Sequence, residues 1–403
     1  MTLETSTTEG ASSRRMIVAI VAFAALAPAA LMVAPAIAGQ LVSQLALGPS
    51  QVGNLLAIEL GALSLATLPA YWWLPRVSWR RAALLAGLVF VAGNIASALF
   101  GQQDYGLLMT LRFVTALAAG SLMIVCISAA ALTANKDRVY GLWVMGQLVV
   151  GAVGLALLPP MFEIFGLAFL YWLLAGSMLA CLPLARFLPA KSTQRSAGQR
   201  DRPLPRLKAG LGVLAIFTFY IDISGVWTFI GAIATESRIS AEHSGTILAI
   251  ATLLGIVGAA CASLLGKWAA QGQARRAMLL AGYAALVAAT LALMGHPGMA
   301  RFVIAALVFK FTWTFILPFA LASLAELDPS GRLMNTVNLV IGGGLATGPL
   351  LAGQLIEAQG HHTGMLLGAS AAGLLSLALI LSSSGASTTL RDARTTPTQG
   401  TTS

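Results

Sequence analysis

The chain has 403 residues, 58% hydrophobic and 9% charged, with a formal net charge of +10. Soluble domains carry about 25% charged residues, so this composition excludes a soluble enzyme and points to a protein embedded in a bilayer. The basic residues sit in short gaps between apolar runs rather than on a solvated face, which excludes a nucleic-acid partner.

About 20 apolar residues cross the hydrocarbon as a helix. Twelve runs meet that length: 16–38, 51–74, 82–100, 107–134, 139–160, 165–186, 209–233, 244–266, 277–294, 301–325, 333–356 and 365–382. The first follows Arg14 and Arg15 and ends in Ala36-Ile37-Ala38, like a secretion signal. It is longer than a signal core and more spans follow, so it is expected to be an uncleaved first helix. The polar, basic, Pro-containing stretch 187–208 divides the runs six and six. The expected organisation is a cytoplasmic tail (1–14), an N-terminal bundle (15–186), a cytoplasmic linker (187–208), a C-terminal bundle (209–383) and a disordered tail (384–403) rich in Ser and Thr.

The two halves resemble each other. Residues 79–87 (WRRAALLAG) parallel 274–282 (ARRAMLLAG), 53–58 parallel 245–250, and Arg112-Phe113-Val114 parallels Arg301-Phe302-Val303. Their order and near-constant offset suggest a duplicated six-helix unit. Of the 24 basic residues, 20 fall on the side of the termini and linker, and Arg238 and Arg301 are the basic residues opposite. By the positive-inside rule both termini face the cytoplasm, and a cytoplasmic or inner membrane is the expected location.

Two six-helix halves, a basic connector, and paired loops after spans two and eight resemble the major facilitator superfamily over about residues 15–383. The basic end of that family's loop signature stands as Arg80–Arg81 and Arg275–Arg276, without the signature's Asp in either loop. Arg112 followed by Gly120 is similar to the span-four arginine motif. Gly146, Gly151, Gly154 and Pro159–Pro160 loosely resemble the span-five motif, and residues 328–332 resemble the turn between spans ten and eleven. The resemblance implies an all-α membrane protein with twelve transmembrane helices in two pseudo-symmetric bundles. It also implies a cavity lined by spans 1, 4, 7 and 10, and gating loops at Arg80, Arg81, Arg275 and Arg276.

Four ionisable residues fall at membrane depth, where each costs about 2.5–3.5 kcal/mol unless paired or in a cavity. Glu59 lies nine residues into its run, about 14 Å deep at 1.5 Å per residue. Asp222 is midway along span seven, Lys310 nine residues into span ten, and Arg112 in the outer third of span four, within reach of the interface. Asp222 reads as a proton-coupling carboxyl or half of a fixed salt bridge. Glu59 reads as coupling or as an interhelical hydrogen bond. Lys310 reads as a solute or coupling contact able to pair with Asp222, and Arg112 as an anion contact or an interfacial anchor. Tyr220, Trp227, Trp313, Trp143, Gln147 and Asn338 add aromatic and amide groups suited to a planar solute.

No ATP-binding loop occurs, and the histidines lie at or beyond run ends, so neither a self-powered pump nor a metal enzyme is expected. No cofactor or metal is expected. The reading is a monomeric secondary transporter, not an enzyme, moving a small organic solute by alternating access in symport with protons, leaning to organic anions and aromatic acids. Drug or metabolite efflux by proton antiport is the close alternative, and a non-transporting membrane receptor the alternative of another class.

Overall fold

The computed structural model describes residues 2–133, 136–190, 206–269, 272–327 and 332–384, with the side chains of 2–13, 136, 137, 267–269, 272, 332, 334, 335, 338 and 384 excepted. The linker core 191–205, the turn residues 328–331 and the tail 385–403 lie outside the described residues.

The first crossing is built from α1 (Thr2–Leu26), α2 (Ala29–Met32) and α3 (Ala34–Leu45), and the second from α4 (Pro49–Leu65) and α5 (Thr67–Trp73). Then follow α6 (Trp79–Phe100), α7 (Tyr105–Ala130), α8 (Lys136–Phe165) and α9 (Ala168–Cys181), the last continued by a 3-10 turn over Leu182–Phe187. The second half comprises α10 (Arg206–Glu236), α11 (Ala241–Ala269), α12 (Gly272–Ala292), α13 (Met299–Ala325), α14 (Arg332–Gln359) and α15 (Thr363–Ser384). An all-helical solution follows from the solvent: lipid offers backbone groups no hydrogen bonds, so each span must satisfy its own.

Each of the twelve expected runs forms the body of one helix or of consecutive helices. The first crossing is interrupted at Pro28, which lacks the amide hydrogen its turn requires. It also continues to Leu45, seven residues beyond the apolar run. Twelve crossings put the start of α1 and the end of α15 on one face, the terminal face.

The halves meet along three seams: α4 with α14, α8 with α11, and α3 with α10. All three bring backbones close at a glycine, the third through Gly231 of α10, where a Cβ would lie 3.0 Å from the Pro35 carbonyl. A Cβ on Gly53 would lie 2.3 Å from the Pro349 carbonyl, one on Gly353 2.3 Å from the Pro49 carbonyl, and one on Gly245 2.4 Å from the Leu155 carbonyl. Pro159 is what frees the Leu155 carbonyl from its own helix. These contacts lie toward the face opposite the termini, where Glu357 of α14 also accepts the Ser50 N–H at the start of α4 (2.9 Å). On the same face a cleft of about 540 Å³ opens between the ends of α3, α8, α10 and α11.

Candidate solute and coupling sites

In the N-terminal half the sequence places one acid and one base at depth on different spans, and packing brings them together. Arg112 of α7 is 2% exposed and forms an ion pair with Glu59 of α4. Its Nη1 also donates to Asn94 Oδ1 of α6 (2.9 Å), and its guanidinium lies over the Tyr171 ring of α9 (5.0 Å to the centroid). Asn94 is held for this by its own helix, because its Nδ2 donates to the Phe90 carbonyl (2.9 Å). Arg112 therefore turns inward and does not reach the interface, although its depth allowed that. Four spans share this cluster, and a small cavity beside it is lined by Glu59, Arg112, Phe90 and residues of the Pro28 break. Arg112 Nε is buried with no partner among the described residues.

The C-terminal half holds the other two charges, and they do not pair. Lys310 of α13 is 1% exposed, its ammonium 3.7 Å from the Trp313 ring centroid and 3.9 Å from that of Trp227 on α10. The two indoles meet edge to face at 6.0 Å, and Phe309 adds a further ring against Trp313. Gly255 of α11 closes the other side, where a Cβ would stand 3.6 Å from Lys310 Cγ. No carboxylate lies within salt-bridge distance of Lys310 among the described residues. Each cation–π contact is worth about 0.5–2 kcal/mol, more when desolvated, so two of them compensate part of the cost of a buried ammonium. Trp227 Nε1 is itself buried and, among the described residues, unpartnered.

Asp222 is fully buried, and neither carboxylate oxygen has a hydrogen-bond partner among the described residues. It points away from Lys310, toward α15 and α12: a Cβ on Gly373 would lie 2.6 Å from Asp222 Oδ2, and the same point lies 3.6 Å from Val287. The expected Asp222–Lys310 pair is absent because the two residues use different faces of α10. Asp222 and Trp227 are separated by about 140° around a helix of 3.6 residues per turn.

The remaining expected residues divide between the halves. Tyr220 is buried beside Phe219 and backs onto Gly344 of α14. Trp143 is buried in α8 near Tyr140, with ring centroids 6.0 Å apart. Gln147 donates to the Ala24 carbonyl of α1 (3.0 Å), a backbone partner that the solute reading did not foresee. The side chain of Asn338 lies outside the described residues. Of the loop arginines, Arg80 donates to the Leu188 carbonyl at the start of the linker (2.5 Å), and Arg275 pairs with Glu326 of its own half (2.6 Å). Arg81 and Arg276 are exposed. Sequence reasoning missed Asn94, Tyr171 and the tyrosine–serine pair of α12 and α15 described below. The available signal was a polar side chain deep in an apolar run.

Two six-helix bundles that meet along glycine-lined seams, each with buried charge at depth, define an integral membrane protein built as a transporter. The family model of the Major Facilitator Superfamily matches residues 16–330, and the chain belongs to that family. Solved structures agree on the fold. A bacterial homolog of the human lysosomal transporter Spinster, in an inward-facing and unoccupied conformation, matches with a TM-score of 0.71 at 14% identity, covering 93% of this chain and 97% of that one. An Asp-to-Ala mutant of the nucleoside transporter NupG matches at 0.69 and 11%, covering 92% and 98%. A POT family transporter in complex with a thioalcohol-conjugated peptide matches at 0.69 and 13%, covering 91% and 95%.

Proposed function

We propose that this chain is a proton-coupled symporter of a small organic anion, with an aromatic acid the favoured solute. The observation that carries the reading is Lys310, a buried ammonium faced by two indole rings and, among the described residues, without a carboxylate partner. An anion arriving there replaces cation–π contacts with a charge-assisted hydrogen bond, and an aromatic acid keeps ring contacts with Trp227 and Trp313. A cationic drug meets repulsion at the same point, so antiport efflux of cations is disfavoured. Proton coupling rests on the acids at depth. Asp222 is buried and, among the described residues, unpaired, so a proton taken up there would remove the cost of burying a charge. Glu59 is tied to Arg112, and protonating it would release that arginine.

In this reading the bundles 15–186 and 209–383 rock about the seams as rigid units joined by 187–208. The basic excess on the terminal face puts both termini in the cytoplasm of a cytoplasmic or inner membrane, and the protein works as a monomer without enzymatic activity.

The test is transport by purified protein in liposomes under an imposed pH gradient, with benzoate as the aromatic acid, benzamide as its neutral analogue and tetraphenylphosphonium as the lipophilic cation. Benzoate is expected to accumulate only with the gradient, and Lys310→Gln to weaken its binding at least tenfold while sparing the neutral amide. Gradient-driven extrusion of the cation, with no response to acids, would select antiport instead. Equal loss of acid and amide in Lys310→Gln would assign that residue a structural role.

A further inference from the structure

Outside the solute box, α10 carries a second, separate polar locus. Asp222 points with Phe219 and Ala215 toward α12 and α15: Phe219 packs edge to face on Tyr283 (5.7 Å), and the Ala215 carbonyl accepts the Ser376 hydroxyl (2.7 Å). Ser376 is in turn bonded to the Tyr283 hydroxyl (2.7 Å). Gly373 lies one turn before Ser376 on α15, and Ser370, buried with an unpartnered hydroxyl, one turn before that. The carboxyl of Asp222 stands beside Gly373, within 2.6 Å of where a Cβ would be.

The charged surroundings are sparse. Tyr283 is the titratable neighbour on α12, whose Arg275 and Arg276 lie near its start. No Asp, Glu, Lys, Arg or His occurs in α3 or α15, and those of α11 and α14 stand at helix ends. Lys310, the charged residue of the α13 midsection, is committed to the tryptophans.

We propose that Gly373 is a positioning residue for the proton-binding carboxyl: its absent side chain is the room in which the Asp222 carboxyl stands. The proton site then lies against spans nine and twelve, separated from the solute box by the body of α10. This rests on the reading of Asp222 as a proton site. Any side chain at Gly373 must displace the carboxyl, because the colliding atom is a short acid held on a rigid helix rather than the free end of a long chain. Protonation at this locus would reach the solute box through α10 itself, whose opposite face carries Trp227.

The test reads the carboxyl directly and needs no solute. Protein reconstituted in liposomes is titrated with pH by infrared difference spectroscopy, and the Asp222 band is assigned by its loss in Asp222→Asn. Gly373→Ala is expected to move the titration midpoint by about one pH unit or more, a tenfold change in proton affinity, while thermal melting shows a folded protein. A merely structural glycine would alter melting and leave the band in place, so an unmoved midpoint in folded Gly373→Ala overturns the proposal while leaving Asp222 as the proton site. A wild-type spectrum with no band that Asp222→Asn removes overturns the coupling reading and this inference together.

If Gly373→Ala does not fold, the exchange variant Asp222→Gly with Gly373→Asp decides, since it returns a carboxyl to the same space from the opposite helix. A titrating carboxyl near the wild-type midpoint supports the proposal. A folded exchange variant without one overturns it, as does an exchange variant that fails to fold.

Discussion

The break in the first crossing leaves a specific debt in hydrogen bonding. Pro28 has no amide hydrogen, so the Ala24 carbonyl, four residues earlier, loses its helical donor. Gln147 of α8 supplies a replacement through Nε2 at 3.0 Å, and Ala24 is fully buried. Gln147→Leu therefore leaves a buried acceptor unmet. Such losses cost about 1–3 kcal/mol in soluble proteins, and hydrogen bonds between membrane helices average about 0.6 with a maximum near 1.7 kcal/mol, so a destabilisation of about 1 kcal/mol is expected. Pro28→Ala restores the helical N–H, and in that background Gln147→Leu should cost a few tenths of a kcal/mol at most. The double-mutant cycle is measured by reversible unfolding in detergent or bicelles. An equal cost of Gln147→Leu with and without Pro28 would refute the argument.

Three further outcomes follow from the buried charges and the seams. Arg112→Met or Glu59→Leu alone strands a buried charge and should cost about 3–5 kcal/mol, while the two together should cost much less; strictly additive unfolding energies would show that the pair is not coupled. Gly53→Val drives a side chain into the Pro349 carbonyl and should open the α4–α14 seam, raising thiol labelling of a cysteine placed beside it at Ser50, with unchanged labelling as the contrary result. Glu357→Ala removes the acceptor for the Ser50 N–H and should broaden the spin-label distance distribution across the face opposite the termini; an unaltered distribution would mean that this contact does not hold the seam.

The spans were legible because crossing a bilayer is a one-dimensional requirement of length and hydropathy. The clearest departure, the end of the first crossing, has a physical cause. Gly39, Gln40, Ser43 and Gln44 end the apolar run but not the helix. Gln40 and Ser43 line the cleft on the face opposite the termini, and Gln44 accepts the Leu167 N–H (2.7 Å) and donates to Gln102 (2.8 Å). Their polarity reports what the helix touches, not where it stops. Depth was legible for Glu59, Arg112, Asp222 and Lys310 by counting residues, but direction was not. Glu59 and Arg112 are 53 positions apart in sequence, and nothing local announces that α4, α6, α7 and α9 converge on them.

Direction around a single helix is also what separates the two loci of the C-terminal half. α10 is the most thoroughly buried of the candidate spans, and from Thr218 to Ile230 nearly every residue is buried, so each face of that stretch must carry a distinct packing problem. Tyr220 and Ser224 meet the glycines of α14, where a Cβ on Gly344 or Gly348 would strike Tyr220 Cβ at 2.7 Å or Ser224 Oγ at 2.0 Å. Trp227 meets Lys310. Asp222 meets α12 and α15. A helix locked this closely on several sides cannot adjust one face while the others stay put, because packed interfaces hold few alternative arrangements. A displacement of α10 large enough to relieve the Asp222 carboxyl would therefore also shift Trp227 against Lys310 and Ser224 against the α14 seam. In the reading proposed here, that rigid linkage joins a proton site and a solute site with no atom in common.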